Sequence, residues 1–123
     1  MTNSKNSYEQ FGLLERDLNY IISTISDHRE IETAVIFGSR AKGTYKKGSD
    51  IDLALKGLDI SPKIIKKISV QLNEYLPIPF FVDVVDYTHL KKETLKKHIE
   101  VFGKLIYKKE EKKGEVRNTN CEV

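Results

Sequence analysis

The sequence holds a single cysteine, Cys121, among 123 residues. One thiol excludes an intramolecular disulfide and a cysteine-rich zinc site. No apolar run approaches the ~20 residues that a membrane-spanning helix requires. The first residues, Met1 to Asn6, are polar, which argues against a secretory signal. A strong charge of one sign is also missing. Lys and Arg number 21 against 18 Asp and Glu, a net +3 that is too mild to mark a nucleic-acid binder by itself. What is present, 39% hydrophobic and 32% charged residues, fits a soluble single domain in the cytoplasm. The length suffices for one core of sheet and helices, but not for a catalytic domain plus a large substrate domain.

The small net charge hides an uneven distribution. Residues 1–32 carry three basic and six acidic side chains, a net −3 that leaves +6 for the remainder. Arg40, Lys42, Lys46 and Lys47 fall in a stretch, 40–49, without one acid. Such a stretch suits an anionic ligand, although charge alone favours a solvated loop.

Periodicity predicts the elements. Tyr8, Phe11, Leu14, Leu18, Ile21, Ile22 and Ile25 recur at helical steps, with Ser7 and Gln10 as a capping box. Thr33–Phe37 and Ile51–Leu55 read as short buried strands. Ser61-Pro62 opens a helix with inward Ile64, Ile65, Ile68, Leu72 and Tyr75, stopped by Leu76-Pro77. Phe80–Val85 is the most strand-like run. A last helix is expected from about Thr88 to Val101, ended by Gly103, with Leu105–Tyr107 as an edge strand. This order gives an α/β (α+β) domain over residues 1–107. Residues 108–123 are expected to form a charged, disordered tail.

Three features carry chemistry. Gly38-Ser39 follows a buried strand, where glycine allows close backbone approach and a serine hydroxyl with free amides can hold an anion. Taken alone, the pair is more simply explained as ordinary turn chemistry. Asp50 and Asp52 alternate with Ile51, so both face one side of a strand, roughly 6.6 Å apart along it. Hard oxygens so placed suit Mg²⁺, although charge at a strand edge also deters aggregation. Asp83 interrupts Phe80–Val85, where a carboxylate is costly unless paired or bound to metal. Asp86 has a simpler reading as the boundary of the next helix, so Asp83 is favoured over it.

Ten residues separate Ser39 from Asp50, giving Gly-Ser-x10-Asp-x-Asp. Phe37–Gly43 followed by Gly48–Leu53 resembles the signature of the minimal nucleotidyltransferases of the DNA polymerase β superfamily. Val82–Asp86 falls where that family has its third carboxylate, and the resemblance spans about residues 31–107. It implies a small mixed β-sheet flanked by helices. Asp50 and Asp52 would bridge two Mg²⁺, and Asp83 would complete the site of the metal nearer the attacking oxygen. Gly38 and Ser39 would hold the β- and γ-phosphates of ATP, with Arg40 and Lys42 as candidate triphosphate contacts by charge. Nucleotidyl transfer needs in-line attack on the α-phosphate, which two metals stabilise at both oxygens.

The resemblance also implies a partner. Minimal members pair with an all-helical HEPN-type protein encoded nearby, in toxin–antitoxin modules where AMP is transferred to a tyrosine of the toxin. The leading expectation is therefore an antitoxin that AMPylates a HEPN-type partner within a hetero-oligomer, with no membrane or direct nucleic-acid binding. Transfer to a small hydroxylated molecule, or neutralisation by binding alone, are the alternatives. His28, His89 and His98 lack metal-ligand spacing and are assigned to surface or packing. Tyr45 reads as a loop aromatic, and Cys121 lacks the pattern of a catalytic thiol.

Overall fold

The computed structural model describes residues 10–110. Its elements in chain order are α1 (Glu15–Ser26), β1 (Thr33–Phe37), α2 (Gly38–Lys42), β2 (Ile51–Lys56), α3 (Pro62–Val70), a π-helical turn (Gln71–Tyr75), β3 (Val82–Asp86), α4 (Glu93–Phe102) and β4 (Lys104–Lys108). The strands form one four-stranded sheet in the order β3-β2-β1-β4. β1 is antiparallel to β2 and β4, while β2 and β3 are parallel. This is the mixed sheet with flanking helices that the family resemblance implies.

Period-two alternation sorts the sheet into two faces. Ala34, Ile36, Ile51, Leu53, Leu55 and Val82 join Leu18, Ile21, Ile25, Ile68 and Leu72 in the main core. Phe37 and Ala54 point to the other face and meet Ile99 of α4, with Val35, Val85 and Leu95 alongside. Asp52 shares this second face with Ala54, and Asp83 shares it with Val85. The carboxylates therefore lie on the α4 side, clear of the main core.

Helix ends account for most departures from expectation. α1 starts at Glu15, later than the periodicity suggests, because the chain turns at Gly12 with φ 70°. Leu14 consequently leaves the apolar stripe and is exposed. The expected Ser7 cap lies outside the described residues. Ser61 does cap α3, accepting from the Ile64 amide at 3.3 Å, with Pro62 in the first turn. The π-helical turn then inserts an extra residue per turn and carries Tyr75 into solvent rather than the core. α4 begins at Glu93 rather than near Thr88. Before it, Asp86 accepts from the His89 amide at 3.1 Å and pairs with its Nδ1 at 2.8 Å, closing a turn rather than capping a helix. His28 is buried and bonded through Nε2 to Gln71 Oε1 at 2.8 Å, which ties α1 to the π turn.

β3 runs Val82–Asp86, two residues later than its apolar run begins. β4 is the expected edge strand, yet it extends through Lys108, which registers with Thr33. Lys109 still bonds the Glu32 carbonyl through its amide at 2.7 Å. The charged segment therefore enters the fold before the chain reaches 111–123, which lie outside the described residues. No described helix is long and apolar enough to cross a membrane.

Replacing Ser61 by Ala should remove the α3 cap and lower stability by about 1 kcal/mol. A urea titration followed by circular dichroism measures this as a lower midpoint with an unchanged slope.

Candidate functional site

The site is built where β1 ends and β2 and β3 begin. Antiparallel register sets Phe37 opposite Asp52, so Gly38 emerges beside the Asp52 carboxylate. Parallel register sets Asp52 beside Asp83. Asp50 lies two residues upstream of Asp52 and is exposed. Strand pairing thus brings the two sequence motifs and the third carboxylate to one end of the sheet, on one face.

Gly38 has φ 74°, a conformation that side chains other than glycine's rarely adopt. A Cβ at this position would collide with Asp52 Oδ2. The two motif halves are therefore sterically matched: the missing side chain of one makes room for the carboxylate of the other. The Gly38 amide donates to His98 Nε2 at 3.2 Å. His98 also packs edge-on against Phe37 and lies 5.1 Å from the Phe102 ring. No local metal-ligand spacing involves His98, so its sequence context alone assigns it to surface or packing. Its contact with Gly38, 60 positions away, exists only in the fold. Ser39 follows in α2, half-buried, and its carbonyl accepts the Thr44 amide at 3.0 Å.

Electrostatics couple the carboxylates. Burial raises the Asp52 pKa above its ordinary value of 3.8, and the charges of Asp83 and Asp50 raise it further. The nearby His98 opposes this shift. Asp83 itself is exposed on the edge strand β3. The expectation that an apolar strand makes this carboxylate costly therefore does not hold; edge position leaves it hydrated. Register, not desolvation, links it to Asp52. Asp86 alternates to the opposite face, pairs in register with Leu55 and belongs to the His89 turn.

Arg40 departs most from its expected role. It is 2% exposed, and its guanidinium is committed to backbone carbonyls. Nε and Nη2 donate to the Ser49 carbonyl at 3.1 and 2.8 Å, and Nη1 donates to the Phe11 and Gly12 carbonyls at 2.8 and 3.3 Å. Its Cζ lies 4.3 Å from the Phe80 ring centroid and 5.1 Å from that of Tyr45. Burial lowers its pKa, partly offset by Tyr45 and Asp50. Arg40 is thus a latch that fixes the peptide just before Asp50, rather than a free cation for a triphosphate. Tyr45 forms part of its housing and packs against Gly12. Lys42 is exposed at the end of α2, with Nζ 5.0 Å from the Phe102 ring centroid. It remains available to an anion. Lys46 and Lys47 are exposed in the following loop.

Among the described residues, no three His, Cys, Asp or Glu side chains gather closely enough to hold a metal ion. The donor set nevertheless fits Mg²⁺ in kind: three hard carboxylates at one strand end, one of them reluctant to ionise beside the others. A cation would relieve that repulsion.

The nucleotidyltransferase domain model described as polymerase β, nucleotidyltransferase matches residues 19–112. The chain belongs to this family. Among curated relatives, it is 33% identical over 75 residues to "Putative protein adenylyltransferase MJ1547" of Methanocaldococcus jannaschii, covering 56% of this chain and 53% of that protein. The chain thus spans about half the length of that relative. A toxin–antitoxin crystal structure with AMP-PNP aligns at a TM-score of 0.63 and 26% identity, covering 75% of this chain and 73% of that one. A tri-AMPylated Shewanella oneidensis HEPN toxin in complex with an MNT antitoxin aligns at 0.59 and 22% identity, covering 77% and 72%. At that identity the likeness is one of fold. The matched range contains Gly38, Asp52 and Asp83.

Two outcomes test this geometry. Arg40→Met should cost about 2–4 kcal/mol, because it leaves the buried Phe11 carbonyl and the part-buried carbonyls of Gly12 and Ser49 without their donor; equilibrium denaturation measures it. The second concerns pH. A raised folded-state pKa means that Asp52 contributes stability fully below its unfolded value, and loses it as pH rises through the folded value. Without divalent cations, Asp52→Asn should therefore show a smaller loss of stability than the parent between about pH 4 and neutrality. Thermal melts across that range check the sign.

Proposed function

We propose that the chain transfers AMP from ATP to a hydroxyl of a second protein, a tyrosine of a HEPN-type toxin, with release of pyrophosphate and the hydroxyl proton, and so acts as its antitoxin. The observation that carries this reading is the steric fit of Gly38 to Asp52 with Asp83 in register beside it. That arrangement offers a close backbone approach for phosphates next to a cluster of hard oxygen ligands. The adenylyltransferase relative and the AMP-PNP-bound toxin–antitoxin structure support AMP as the transferred group. The HEPN partner follows from the motif resemblance and is supported by the fold shared with the Shewanella antitoxin.

In this reading Asp50, Asp52 and Asp83 hold Mg²⁺, two ions in all. Bound Mg²⁺ supplies charge neutralisation at the α-phosphate and at the entering and leaving oxygens. Gly38, whose amide is already bonded to His98 Nε2, contributes the side-chain-free turn that seats the Asp52 carboxylate beside the triphosphate, and Ser39 contributes its hydroxyl. Lys42 supplies the nearest uncommitted positive charge of α2. Asp83, exposed on the edge strand, faces solvent from which an acceptor hydroxyl can arrive. In this reading the acceptor hydroxyl comes from the partner protein.

The test is to incubate the chain with Mg²⁺, labelled ATP and the product of its neighbouring gene, and to read the partner by intact mass. One or more AMP additions are expected. Asp50→Ala with Asp52→Ala should abolish them and should also abolish neutralisation of the partner. Neutralisation that persists in this double variant would leave binding alone as the mechanism. Asp83→Asn should lower the transfer rate by at least ~100-fold if its carboxylate holds metal; a parent-like rate removes Asp83 from the site.

A further inference from the structure

β3 is an edge strand, and an edge strand can slip or fray. Yet the site depends on its register, since Asp83 reaches Asp52 only while Val82 sits beside Ile51. Within the pair, the Ile51 amide donates to the Phe81 carbonyl at 2.8 Å. Alternation then turns the N–H and C=O of Val82 outward, away from β2, where no further strand follows.

Both outward groups are met by one side chain. The Val82 amide donates to Asn73 Oδ1 at 2.8 Å, and Asn73 Nδ2 donates to the Val82 carbonyl at 2.9 Å. A carboxamide offers one donor and one acceptor in a plane, as a peptide of a neighbouring strand would. The second Nδ2 hydrogen reaches the Ser69 carbonyl at 3.0 Å, which anchors the amide to the preceding helix turn. Asn73 lies in the π-helical turn Gln71–Tyr75, and such widened turns are enriched at functional sites. On the same turn, buried Leu72 is packed into the main core.

We infer that Asn73 is a positioning residue for the carboxylate site: it stands in for a missing fifth strand at Val82 and locks the register that sets Asp83 beside Asp52. The inference rests on the reading of Asp50, Asp52 and Asp83 as metal ligands. It specifies asparagine. Aspartate can accept from Val82 but cannot donate back, and leucine can do neither.

The experiment compares the full chain with Asn73→Leu, Asn73→Asp and, as a control for lost packing on the same turn, Leu72→Val. The readouts are amide hydrogen exchange at Val82, binding of Mn²⁺ alone by its paramagnetic signal, and the kcat and KM of nucleotide transfer. Asn73→Leu should speed exchange at Val82 and weaken Mn²⁺ binding by about ten- to a hundredfold, the range for residues that orient metal ligands. Its kcat should fall with KM for ATP little changed. Asn73→Asp, which keeps one of the two bonds to Val82, should fall between. Leu72→Val should lower thermal stability and bind Mn²⁺ as the parent does. Parent-like Mn²⁺ binding in Asn73→Leu overturns the inference, as does equal weakening in Leu72→Val. Absence of Mn²⁺ binding in the parent chain, with or without ATP, overturns instead the reading of the carboxylates as a metal site.

Discussion

The structure turns on the backbone pairing of β2 with both its neighbours at the level of Asp52. One partner, Phe37, delivers Gly38; the other, Asp83, delivers a second carboxylate. Side chains alternate along a strand, so a slip of one residue on either side would send Asp52 or Asp83 to the main-core face. The apolar alternation of Ile51, Leu53 and Leu55 prevents this, because slipping would also expose those side chains. The site therefore inherits its precision from the hydrophobic pattern of the strand that carries it.

Around this pairing, polar side chains perform backbone work. Arg40 gathers the Phe11, Gly12 and Ser49 carbonyls and fixes the approach to Asp50. Asn73 gives Val82 both hydrogen bonds of an absent strand. His98 receives the Gly38 amide from across the molecule. Each stands beside one of the chain segments that meet at the site. Their burial is tolerable because nearly every donor finds an acceptor.

The carboxylates are the converse case. Asp52 is half-buried beside like charges and is held above its ordinary pKa. Such repulsion, kept at the steric match of Gly38 against Asp52, suits the cation and phosphorylated ligand of the proposed function. The family membership of residues 19–112 and this local electrostatics point the same way.

The chain by itself determined the elements and the identity of the motifs. Short apolar strands, the Ser61-Pro62 start and the Gly-Ser-x10-Asp-x-Asp spacing are local patterns, and local patterns are legible in sequence. It also favoured Asp83 over Asp86, although through a burial argument that the exposed edge strand does not honour. Other features could not be read in advance. Arg40 looked like a ligand cation because charge is visible in sequence whereas burial is not. Asn73 looked like an ordinary helical residue because nothing local announces the π turn. His98 lay too far along the chain to be joined to Gly38. Tertiary structure decided these roles, because each depends on hydrogen bonds between segments whose proximity is set by sheet register and helix packing.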